Sequence, residues 1–264
     1  MAGICAVLLS LMFASSMLAP LLTARSYDAI DLPGRLQPSS GLHWLGTDEL
    51  GRDLFTRLLY GGRVSFLVSM IVVTISFVLG ALLGMLAGFH GGWLDGLVMR
   101  SVDVLLAFPG ILLAIALMAL LGPSLNNVVL ALVLIGWVSY ARLARGLTLK
   151  IRELDFVNAS RSLGASSSRL LLVHIFPNLL PSLIVQASFG FAAMILAESA
   201  LSFLGLGVQP PQPSWGSMLN DGKNHLLDAP SLTVFPGAAI FLSVLCWNLL
   251  GDALRDRLDP RWKA

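Results

Sequence analysis

Glu198, in "MILAESALSFLGLG", is the only acidic residue lying well within one of the chain's long apolar runs. A carboxylate at membrane depth is costly and marks a candidate functional position. Two uses fit it. Either it faces a translocation path and touches a cationic part of what passes, or it packs against a neighbouring helix, hydrogen-bonded or protonated. Other chemistry finds few residues to carry it. An intramembrane enzyme needs a nucleophile with a base, or a pair of carboxylates, and Glu198 stands alone in its run. His43, His90, His174 and His225 fall in separate segments with no ligand-like spacing, so no metal site is expected. Cys5 and Cys246 each sit inside an apolar run and read as small buried hydrophobes rather than a disulfide framework. No phosphate-cradling G-x-x-x-x-G-K-[ST] loop occurs, so the chain itself is not expected to hydrolyse ATP.

The elements that must position these residues follow from composition. Hydrophobic residues make up 56% of the chain and charged ones 12%, which points to a polytopic, all-α membrane protein rather than a soluble domain. The net charge of +2 is scattered, with no basic block, so nucleic acid is not an expected partner. A hydrocarbon layer of about 30 Å takes roughly 20 helical residues. Six stretches qualify, at residues 3–22, 64–89, 98–121, 128–143, 179–206 and 232–250, within a single domain covering 1–264. Pro109 predicts a kink in the third span and Gly190 a distortion in the fifth. The first span is read as an anchor rather than a cleaved signal, because no positive region precedes it.

Lys and Arg set the direction. Arg100, Arg142, Arg145, Lys150, Arg152, Arg161, Arg169, Arg255, Arg257, Arg261 and Lys263 fall on one side, against Arg25, Arg35, Arg52, Arg57, Arg63 and Lys223 on the other. The richer side is expected to be cytoplasmic and to hold both termini. Arg142 and Arg145 suit lipid headgroups, Asp103 is expected to pair with Arg100 one helical turn away, and Asn126 and Asn127 are expected to cap a helix. On the outer side, "GRDLFTRLLYGGR" groups Leu54, Phe55, Leu58 and Leu59 on one face, away from Arg52, Asp53, Thr56 and Arg57. That predicts a helix lying on the membrane surface. The second outer segment, 207–231, is dense in Pro and Gly and predicts a constrained loop with one short helix.

The connection between the fourth and fifth spans, 145–178, is longer than a connection needs to be. It is polar and helical: one piece through Leu154, Val157 and Ser160, an interruption at Gly164, and a second piece, "ASSSRLLLVHIF", up to Pro177. Ser166, Ser167 or Ser168 is expected to cap the second helix, Gly164 to permit a sharp bend, and Pro177 to close or kink the second helix.

This helix, Gly turn, helix and Pro order resembles the coupling loop of ABC importer permeases. There the pattern runs E-A-A, three residues, G, nine residues, I, any residue, L, P. Asn158, Ala159 and Ser160 stand at the first three positions, then Gly164, His174, Phe176 and Pro177, so that Ala159, Gly164 and Pro177 match strictly. The departures agree better with the permeases for dipeptides, oligopeptides, nickel and glutathione. "HWLGTDELGRDLFTRLLYGGRVS", "ALSFLGLGVQPPQPSWGSML" and "NLLGDALRDRLDPR" are similar to that group too, extending the resemblance from His43 to the end. The resemblance implies six transmembrane helices of the type I importer fold in a bacterial inner membrane. It also implies a second related permease, two cytoplasmic ATPases that bind the ATP and Mg²⁺, and an extracytoplasmic solute-binding protein. The cargo would be di- or oligopeptides, glutathione or a nickel chelate. Leu163, Leu170 and Leu171 would enter a groove on the ATPase. Two rival readings are an ion-gradient-driven transporter, which would be expected to show inverted repeats, and an intramembrane enzyme.

Overall fold

The computed structural model describes residues 2–258; Arg261 and Lys263 of the charge count, and the Asp259 to Arg261 end of the last motif, lie outside them. Helices are α1 (Ala2–Met17), α2 (Ala19–Leu22), α3 (Leu54–His90), α4 (Gly92–Leu106), α5 (Gly110–Leu121), α6 (Leu125–Ile151), α7 (Asp155–Ser162), α8 (Ser167–Arg169), α9 (Phe176–Phe203), α10 (Trp215–Gly222) and α11 (Ser231–Leu258). No strand occurs among the described residues, as the all-α reading requires. Four continuous stretches are long and apolar enough to cross a membrane: α3, Ser167–Phe203, α6 and α11. A fifth forms if α4 and α5 count together, although they meet at an angle of 88°. Pro109, the N-cap of α5, turns the expected kink into this break. The expected first span is a 16-residue apolar helix followed by a single turn.

Two boundaries shift with consequence. α6 runs on to Ile151, so residues 145–151 at the start of the expected connection continue the helix of the fourth span. α3 is one helix of 37 residues, about 55 Å long at 1.5 Å per residue. The expected surface helix at 54–63 is therefore its first turns. Arg52 and Arg57 are buried there, because acidic partners meet them. Asp48 takes Arg52 Nε at 2.6 Å and Arg57 Nε at 3.3 Å. Asp221 of α10 takes Arg57 at 3.1 Å and Arg52 at 3.6 Å. Trp215 Nε1 donates to the Leu58 carbonyl at 3.0 Å. The two segments expected to lie outside thus close over the start of α3.

α3 and α6 form the most extensive helix pair. Within lipid no hydrophobic drive joins two helices, so close packing must do it. Gly80, Gly84 and Gly88 supply that closeness, since a Cβ at any of them would overlap the backbone oxygens of Trp137, Ala141 and Arg145 in turn. At the end expected to be cytoplasmic the arginines find protein partners rather than headgroups. Arg145 grips Asp95 with two bonds of 2.7 Å. Arg142 pairs with Asp103 at 3.3 Å, taking the place expected for Arg100. Arg152 donates to the last carbonyls of α3, Gly88 at 2.7 Å and Phe89 at 3.3 Å. Ser124 caps α6, while Asn127 reaches back to the Leu121 and Gly122 carbonyls that end α5.

Candidate functional site

The segment after α6 is built around a glycine. α7 carries Asp155 in its first turn and Arg161 in its last, each favourable to the helix dipole. Gly164 adopts φ +85°. Its N–H returns to the Arg161 carbonyl at 3.0 Å and that of Ala165 to Ser160 at 3.1 Å, the paired closure of a left-handed C-terminal cap. No atom lies within 4 Å of where a Cβ would stand, so backbone conformation, not space, calls for glycine here.

Of the three serines, Ser166 is the cap, accepting from Arg169 N at 3.4 Å. α8 then passes directly into a π-helical turn, Leu170–Ile175, and on into α9. The Phe176 N–H reaches the Leu171 carbonyl. Pro177, expected to close or kink the second helix, lies in the first turn of α9, and the chain stays helical through it rather than closing there. A proline has no N–H to return one turn down, and the π turn, with its extra residue, changes the bonding pattern directly before it.

Ser160 and His174, from the two halves of the segment, meet at 3.1 Å between Oγ and Nε2. The Phe156 ring lies 6.1 Å from that of His174, and Asn178 donates to the His174 carbonyl at 2.7 Å. Asn158 stays local, donating to the Glu153 carbonyl at 3.1 Å and accepting from Arg161 at 3.3 Å. Ala159 and Pro177 are exposed and Phe176 half-buried. The three leucines expected to share a docking face do not. Leu163 is 89% exposed, whereas Leu170 is 2% and Leu171 7% exposed. The latter two pack with Val157, Ile175, Tyr140 and Leu179 inside the subunit. Phe156, Leu172 and Val173 are exposed instead. A helical period shows that a face is apolar, but not which body covers it.

Glu198 lies near the other end of the bundle and is fully buried. Ser65 of α3 donates to Oε2 at 2.8 Å and Ser202 to Oε1 at 2.7 Å. In this conformation the carboxylate is enclosed by its own subunit, and it lies towards the opposite end of α9 from the Gly164 bend and the π turn. The glycine stripe of α3 went unread, although its spacing, G-x-x-x-G-x-x-x-G at Gly80, Gly84 and Gly88, is the sequence signal that could have found it. The π turn and the Ser160 to His174 contact had no sequence signal.

Residues 80–264 match the family described as binding-protein-dependent transport system inner membrane component. The dipeptide transport system permease protein DppC of Alkalihalophilus pseudofirmus is 46% identical over 93% of this chain and 81% of its own length. The probable D,D-dipeptide transport system permease protein DdpC of Escherichia coli K12 is 45% identical over 97% and 86%. The glutathione transport system permease protein GsiD of Pectobacterium atrosepticum is 46% identical over 86% and 75%. Among solved structures, a chain of the MetNI methionine ABC transporter in an inward-facing conformation superposes with a TM-score of 0.62, covering 78% of this chain and 98% of that one at 16% identity. That likeness establishes the fold. The rival readings as an ion-driven transporter or an enzyme give way to the family match, and the chain belongs to the binding-protein-dependent transport system inner membrane components, as a permease subunit of an ABC importer.

Proposed function

We propose that this chain is one of two related permeases that carry short peptides into the bacterial cytoplasm by alternating access. The observation that carries the cargo is the naming of its relatives: dipeptide, D,D-dipeptide and glutathione carriers, each 45–46% identical over most of the chain. All three cargoes are small peptides, and a nickel chelate is not among them. Two cytoplasmic ATPases bind ATP and Mg²⁺, a solute-binding protein delivers the cargo from outside, and both termini lie in the cytoplasm.

The α7 to α9 segment is the proposed ATPase contact. Leu163 stands out at the Gly164 bend, and Ser160 with His174 holds the two halves together behind it. A protruding apolar side chain on a braced turn suits insertion into a groove. Because the part after the Gly164 bend, Ser167 onward, is one continuous helical stretch with α9, ATPase closure would shift the bundle between its two states. Reconstitution in liposomes with the partner permease, the ATPases and the binding protein tests this. Labelled dipeptide should accumulate only with ATP inside the ATPase compartment and binding protein on the opposite face. Uptake driven by an ion gradient without ATP would overturn the mechanism, and uptake of metal chelates but no peptide would overturn the cargo.

A further inference from the structure

A cleft of about 310 Å³ lies between α3, α6 and α9, near the middle of each helix. Ser76, Ser139, Tyr140 and Gln186 line it amid apolar side chains. Ser76 and Tyr140 are buried, and neither hydroxyl has a hydrogen-bond partner among the described residues. Buried polar groups are ordinarily paired, so two orphans on facing helices at membrane depth point to a partner that comes and goes.

The backbone has made room for both hydroxyls. A Cβ on Gly190 would overlap the Tyr140 hydroxyl, and one on Gly136 would stand 2.6 Å from Ser76 Oγ. Gly190 thus covers the Tyr140 hydroxyl in this conformation. The helix that carries Gly190 is α9, whose ladder is interrupted by Pro177 and Pro181 and preceded by the π turn. Such breaks are where helices bend. A displacement of the inner segment would therefore swing α9 and slide Gly190 off Tyr140.

We infer that this cleft is a cargo-contact subsite, in which Ser76, Tyr140 and Gln186 hydrogen-bond the amide groups of a short peptide when α9 moves; this rests on the peptide reading above. The lining donors and acceptors are uncharged, which matches a peptide bond rather than a charged side chain. Contacts to the backbone amide leave the cargo's side chains unread.

The test uses the whole reconstituted importer and has two readouts. First, Ser76→Cys is made in a background with Cys5 and Cys246 replaced by alanine, and its alkylation is timed in nucleotide-free and vanadate-trapped complexes. One state should react at least about tenfold faster; equally slow reaction in both overturns the opening of the cleft. Second, Tyr140→Phe and Gln186→Leu are assayed for uptake of a dipeptide and of its ester isostere, which lacks the amide N–H. Each variant should raise the KM for dipeptide about 3- to 10-fold and weaken the preference for amide over ester. Unchanged KM and unchanged preference overturn the subsite. If the wild type carries no peptide while Ser76→Cys is still gated, the peptide reading and the amide chemistry fall together, and the moving cleft stands on its own readout.

Discussion

Ser65 donates its hydroxyl hydrogen to Glu198 across 2.8 Å, joining α3 to α9 in the interior of the bundle. The other carboxyl oxygen takes the Ser202 hydroxyl one turn along α9. A buried carboxylate is tolerable only with such donors, and its removal leaves the serines unpaired.

Glu198→Ala should therefore be the harshest change here, because it leaves a cavity as well as orphaned hydroxyls. Ser65→Ala should cost about 1–3 kcal/mol. Glu198→Gln, which keeps the volume and one acceptor oxygen, should cost least. Thermal unfolding of the purified complex ranks the three. An order that puts Gln below Ala would show that charge, not packing and pairing, is what the site requires.

Gly84 and Gly91 separate two meanings of glycine. A Cβ at Gly84 would overlap the Ala141 backbone, which no rotamer change relieves. Gly84→Ala should force α3 from α6 and cost about 3 kcal/mol. At Gly91 the space is open, with φ +67° and ψ −152°, so Gly91→Ala should cost only backbone strain, about 1–3 kcal/mol. Detergent-stability measurements on both variants check this; equal losses would remove the claim that the α3 and α6 seam depends on contact.

The helices themselves were readable because apolar runs of the right length admit few alternatives in lipid. Pro109 and Gly164 announced their breaks through backbone chemistry alone. What escaped depends on residues far apart in the chain. Arg57 reads as a solvent-facing charge until Asp221, 164 positions later, is folded beside it. Leu170 and Leu171 have the period of a docking face whether a partner covers them or Tyr140 and Leu179 do. Asp103 had Arg100 at helical spacing, yet Arg142 on another helix took it.

That division of the leucines gives a sharp contrast. Leu163→Glu should leave the subunit inserted and stable but weaken its hold on the ATPases, seen as lost co-purification and lost stimulated ATP hydrolysis. Leu170→Ala should instead destabilise the fold by about 2–5 kcal/mol, as for other buried leucines. If Leu163→Glu retains full ATPase binding, the exposed turn is not the contact.

Asp53 links the outer segment to the start of α3, and its charge makes that link depend on pH. Its carboxylate accepts the Thr56 N–H at 2.9 Å, the Thr56 hydroxyl at 2.8 Å and a bond from His43 at 2.8 Å. Burial pushes its pKa up, but these hydrogen bonds outweigh burial and hold it below the ordinary carboxylate value. A depressed pKa stabilises the fold above the unfolded value, about 3.9. That stability is lost as pH falls from there through the folded value. Hydrogen-exchange protection of residues 23–53 in the intact complex reads it directly. Wild type should lose protection as the medium is acidified below about pH 4, whereas Asp53→Asn, still a competent N-cap, should lack this component. Asp53→Ala should be weaker than Asp53→Asn at every pH by about 1 kcal/mol, the worth of the cap. Parallel acid loss in wild type and Asp53→Asn would place the titrating group elsewhere.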